Sequence, residues 1–85
     1  MTRQYLLWNL REAAEAMSDA IREIEADTNY SEAELHVAMI HVYHHLNTAW
    51  NARHASDERV VECEAADFRS WRQFPKDLDM SIGVD

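Results

Sequence analysis

Asp27-Thr28-Asn29-Tyr30-Ser31-Glu32-Ala33-Glu34-Leu35 carries the strongest local signal in the chain. Ser31 and Glu34 stand at the N-cap and N3 positions of a capping box, and Tyr30 and Leu35 occupy the two hydrophobic-staple positions around it. A helix therefore starts at Glu32. Asp27-Thr28-Asn29 suits a turn, with Asn29 tolerant of a left-handed conformation. What lies on either side must be a helix entering the turn and a helix leaving it.

Upstream, Leu6, Leu10, Ala13, Met17, Ala20 and Ile24 recur at alternating spacings of four and three, the seam of a helix packed along another helix. Leu7, Ala14 and Ile21 add a second apolar row, and Thr2 is a candidate N-cap. Downstream, Leu35, Met39, Val42, Leu46, Ala49 and Arg53 repeat the same spacing. A short turn makes such helices antiparallel neighbours. Aligning the seams about the turn places Ile24 near Leu35, Ala20 near Met39, Met17 near Val42, Ala13 near Leu46 and Leu10 near Ala49, so that small residues repeatedly face large ones. Arg53 is expected to lay its stem over Leu6.

The sequence predicts an all-α fold: an antiparallel helical hairpin, with helices over about 3–27 and 32–54, and a third, shorter helical region over about 57–73 packed on it. Residues 1–74 form one domain. Ser56-Asp57-Glu58 is a start signal for the third region. It reads either as one bent helix or as two short ones, with Asp67 as an alternative N-cap. A continuous helix through Ala55 is a further alternative, since no glycine or proline intervenes. Phe74-Pro75 ends helical structure, and 75–85 reads as a partly ordered tail.

The 85 residues include one glycine, one proline, one cysteine and twelve alanines, with 16 acidic and 8 basic side chains for a net charge of −8. One cysteine forms no internal disulfide. Net acidity opposes nonspecific nucleic-acid binding, which neutralises phosphates. The acids are spread through the chain: residues 1–30 hold six against three bases, 31–56 two against one, and 57–85 eight against four. That dispersal favours charge for solubility over an acidic tail. The apolar run Tyr5–Trp8 is shorter than a signal peptide's core or a membrane span, so a cytoplasmic protein with no membrane contact is expected.

Chemistry is sparsely marked. All five histidines fall in the second helix: His36, His41, His44, His45 and His54. His41 and His45 are four apart on one flank of the seam and are the candidate metal ligands, zinc being an acceptor of imidazoles. Two ligands do not make a site; a third must come from another segment, such as Glu62 or Cys63, or from a second chain. Neither HExxH nor the paired Glu-x-x-His of di-iron bundles is present. Cys63 sits between Glu62 and Glu64, which disfavour a thiolate. No nucleophile motif or glycine-rich phosphate loop occurs, so no catalytic residue and no cofactor are assigned.

The surplus is apolar. Leu7, Trp8, Val37, Ile40, Tyr43 and Trp50, with His44 beside them, exceed what a two-helix seam uses, and a helix apolar on several sides is covered on several sides. The leading expectation is a non-enzymatic interaction module that forms a homodimer, two hairpins pairing into a four-helix bundle. Two alternatives are a metal-binding or metal-responsive domain using His41 and His45, and an acidic binder of a basic protein surface.

Overall fold

A computed structural model describes residues 2–83. It contains α1 (Arg3–Ala26), α2 (Glu32–Asn51), α3 (Asp57–Glu62) and α4 (Ala65–Trp71), and among the described residues there is no strand. The fold is all-α: α1 and α2 pack as a long hairpin, and the shorter helices pack on it.

The turn forms as its residue types dictate. Tyr30 N–H donates to the Asp27 carbonyl at 3.1 Å, and Asn29 N–H to the Asp27 carboxylate at 2.9 Å. Ser31 accepts from Glu34 N–H at 3.2 Å, closing the first turn of α2. Glu34 answers by accepting from the Ser31 hydroxyl. Asn29 does not use the left-handed conformation that it tolerates; the only positive φ on a non-glycine among the described residues is at Cys63.

The seam differs from the expected one. Ala13, Val42 and Ala49 are buried, but Leu10, Met17, Ile24, Leu35, Met39 and Leu46 are exposed. The helices instead meet through Asn9, Ala13 and Ala16 on α1 and Val42, His45 and Ala49 on α2, with Ala52 at its C-cap. Alanines bring the two backbones close, and close backbones leave no room for leucine or methionine between them. The large side chains are turned to one flank, so the expected alternation of small against large does not occur. Arg53 is also displaced from its expected place over Leu6. Its guanidinium lies 3.9 Å from the centre of the Trp50 ring and pairs with Asp77 at 2.9 Å.

α2 stops at Asn51 rather than at 54 or beyond. Arg53 N–H and Ala55 N–H bond to carbonyls three residues back. Ser56, extended at ψ 160°, then caps α3 by accepting from Arg59 N–H. A cap needs extended backbone, and this stops a continuous helix as firmly as proline would. The third region is two helices. Cys63, at φ 34°, ends α3 in the left-handed region. Asp67 is not a cap; Glu64 holds the N-cap position of α4, and Asp67 in the first turn pairs with Arg59 of α3 at 2.6 Å.

α4 docks on the distal half of α2. Asn47 Nδ2 donates to the Arg72 carbonyl at 2.9 Å, and Asn51 Nδ2 to the carbonyls of Trp71 and Gln73 at 2.8 and 2.7 Å. Trp71 is buried beside Tyr5 of α1. Thr2, the N-cap residue of α1, donates to the Ala55 carbonyl and closes the open end of the hairpin. The described residues after Pro75 form no helix, yet Asp77 accepts from both Trp50 Nε1 and Arg53. Met1, Val84 and Asp85, the last two belonging to the expected tail, lie outside the described residues.

Candidate functional site

The two flanks of the hairpin are chemically different. On the flank where α4 docks, Asn9 is 1% exposed in the seam, and its Oδ1 lies 2.9 Å from His45 Nδ1. Asn9 Nδ2 donates to the Tyr5 carbonyl at 3.0 Å. That second bond fixes the amide orientation. Oδ1 must therefore accept, His45 Nδ1 must carry the proton, and the lone pair is left on Nε2.

His41, one turn earlier on α2, sets its ring at a tilt against that of His45, the centres 5.1 Å apart. Glu12 reaches the pair from α1: one ligand atom each from Glu12, His41 and His45 lies within 4.8 Å of the others. His45 is buried, Glu12 half-buried and His41 exposed. Among the described residues no lysine or arginine forms a salt bridge with Glu12. Trp8 sets its edge against His45, ring centres 5.4 Å apart, and stacks on Tyr5. Burial, with His41 close by, lowers the His45 pKa against an opposing pull from Glu12. Burial also lowers that of His44, helped by His45, Arg72 and His41.

His41 and His45 are thus brought together, and the third side chain in the cluster is Glu12. Glu62 and Cys63, the expected further ligands, are not in this cluster. Nothing marks Glu12 by type or motif; it is recognised once α1 is set beside α2. Next to the cluster, a groove of about 550 Å³ runs toward the turn, walled by Ala16 and Ala20 of α1 and by Val37 and Ala38 of α2.

The residues of the expected interaction surface are dispersed. Leu7 and Tyr43 lie on the flank opposite α4, and Trp50 is at its margin, held by Asp77 and Arg53. Trp8 joins Tyr5 and His45, Val37 lines the groove, and His44 packs against Phe68 of α4 at 5.2 Å. Ile40 is exposed away from the seam.

The opposite flank is wholly apolar over its middle. Leu7, Leu10, Met17, Ile21 and Ile24 of α1 adjoin Leu35, Met39, Tyr43 and Leu46 of α2, each between 37% and 56% exposed. In antiparallel helices, residues displaced in the same rotational sense from the seam fall on the same side, so the two rows make one face. No carboxylate occupies either row between Leu7 and Ile24 or between Leu35 and Leu46. Most of these positions were assigned to the seam from sequence, and the surface they form was therefore missed. No helix of the described residues is long and apolar enough to cross a membrane.

No protein-family model, curated protein or solved structure matches this chain.

Proposed function

We propose that the protein is a non-enzymatic interaction module that self-associates, two hairpins pairing through the apolar flanks of α1 and α2 into a four-helix bundle. The observation that carries this is the uncovered face of nine large side chains. It amounts to apolar area on the order of 700 Å², above what soluble monomers ordinarily leave bare and near the ~800 Å² that each partner contributes to a standard interface.

A second copy is the occupant that fits best. Leu10, Met17 and Ile24 repeat every seven residues, as do Leu7, Ala14 and Ile21, and Met39 and Leu46; that is the period of helices packed at a shallow angle in a bundle. In a chain of net charge −8, this flank is free of carboxylates between Leu7 and Ile24 and between Leu35 and Leu46, so two copies can bring those stretches together without facing like charges. The alanine seam supplies a further reason: it buries little apolar area, and hydrophobic stabilisation scales with area at ~25 cal/mol per Å². A chain this short gains its missing core by association.

Sedimentation equilibrium at micromolar concentration tests the reading. The expected mass is twice 9.9 kDa, returning to a single chain in Met17→Glu and Leu46→Glu, which place charge on the face without touching the seam. A monomer at all concentrations removes the proposal.

A further inference from the structure

We infer that Glu12, His41 and His45 form a divalent transition-metal site, with zinc as its probe, that ties α1 to α2 on the flank opposite the apolar face.

The donor set suits such an ion. Two imidazoles and one carboxylate are the protein ligands of one common class of zinc site, in which the fourth position is left to water or another ligand. Imidazole nitrogen selects transition metals over magnesium or calcium, which prefer all-oxygen shells. The spacing is right along the helix, because residues four apart on α2 present their rings to the same side.

His45 is already set as a ligand. Its Nδ1 proton points at Asn9 Oδ1, 2.9 Å away, while Asn9 is itself oriented by its bond to the Tyr5 carbonyl. Metal-bound histidines characteristically donate their other N–H to a fixed acceptor, which sets the tautomer and the ring orientation. Here that support exists in the dry seam, and its consequence is a lone pair on Nε2. The asparagine is 1% exposed, and its side-chain oxygen faces this ring.

Glu12 and His41 complete the set. Zinc–ligand bonds of ~2.0–2.2 Å place tetrahedral donors about 3.3 Å apart. One ligand atom from each of the three residues lies within 4.8 Å of the others, and Glu12 and His41, which solvent reaches, are the side chains that would turn to close the shell about His45. Glu12 has no salt bridge among the described residues, and a bound cation would supply the missing counter-charge. Asp19, Glu23 and Glu34 around the neighbouring groove add negative potential along the approach.

The site and the self-association surface face opposite ways, so each can fail without the other. The test uses the intact chain, freed of metal and titrated with zinc by calorimetry, with cobalt(II) absorption as a second reading of geometry. The expected result is one zinc per chain, a rise in thermal midpoint on zinc addition, and cobalt bands of a four-coordinate ion. His45→Ala removes a buried ring and tests folding as much as binding. The informative variants are therefore Glu12→Gln and His41→Ala, at positions that solvent reaches. Each is expected to weaken zinc at least tenfold while the helical circular dichroism is unchanged. His36→Ala and His54→Ala, on the exposed histidines outside the cluster, are expected to leave affinity unchanged. Absence of heat, one zinc per two chains, affinity unmoved by Glu12→Gln and His41→Ala, or equal loss in His36→Ala would each overturn the site.

Discussion

Asn9 and His45 are a polar pair buried between α1 and α2. Each is polar, each is buried, and they satisfy one another across 36 positions of sequence at 2.9 Å. Buried polar groups cost stability only when a partner is taken away. Asn9→Ala leaves the His45 Nδ1 proton facing an apolar seam, and the expected cost is about 2 kcal/mol in urea unfolding. A loss below about 0.5 kcal/mol would mean that water reaches the ring and that the pair is dispensable. A hydropathy pattern passes over Asn9 because it is polar, and over His45 because histidine fits either side of a helix. The flank that carries His41 and His45 was legible from their spacing alone. Glu12 was not, because one acid among sixteen acquires meaning only from the register between two helices, and that register is set by which alanines touch.

At the scale of elements, local chemistry was the better guide. Ser31 and Ser56 both cap the helices expected of them, each accepting a backbone N–H three residues on. The break between α3 and α4 was left open in sequence because no glycine stands there. The chain makes that break with Cys63 at φ 34°, a conformation that costs an L-residue about 1–2 kcal/mol. Cys63→Gly relieves this, less the ~0.5–1 kcal/mol that glycine's freedom in the unfolded chain takes back, so a gain of up to about 1 kcal/mol in urea midpoint stability is expected; a fall would show that the thiol's packing outweighs the strain. The segment after Pro75 gave no periodic signal, since its order comes from two side chains of α2. Hydrogen bonds from Arg53 and then Trp50 hold the Asp77 carboxyl below its ordinary value of 3.8. A depressed carboxylate pKa means that docking of this segment is favoured at pH above the ordinary value, weakens as pH falls through it, and is lost below the depressed value. The indole N–H resonance of Trp50 should follow this transition, with a midpoint below 3.8, and should lose it in Asp77→Ala. A midpoint at the ordinary value, or the same curve in the variant, would show that the contact does not form.

For the whole molecule, the hairpin was legible from two independent seams meeting at one turn, but its rotation was not. Ala13 and Ala20 belong equally to a stripe with Leu10 and Met17 or to one with Asn9 and Ala16, and periodicity does not separate stripes that share members. The choice was made by side-chain size: the alanine stripe permits the closer approach, and the leucines and methionines are left on one flank. In the proposed pairing of two hairpins this flank completes the core, and that completion has an electrostatic signature. Two chains of net charge −8 repel over distances that salt shortens to about 10 Å at 0.1 M. An interface that is apolar, with the acids held away from it, loses this repulsion and keeps its attraction as salt rises. Self-association should therefore tighten between 20 and 300 mM salt, and the thermal midpoint, which mass action ties to concentration in a dimer, should rise with protein concentration at every salt. Met17→Glu should abolish the concentration dependence, since it puts a charge at the centre of the face. An acidic surface engaging a basic partner behaves oppositely, its affinity falling as salt screens the attraction. Weaker self-association at higher salt, or a midpoint indifferent to concentration, would count against the paired hairpins and return the apolar flank to some other occupant.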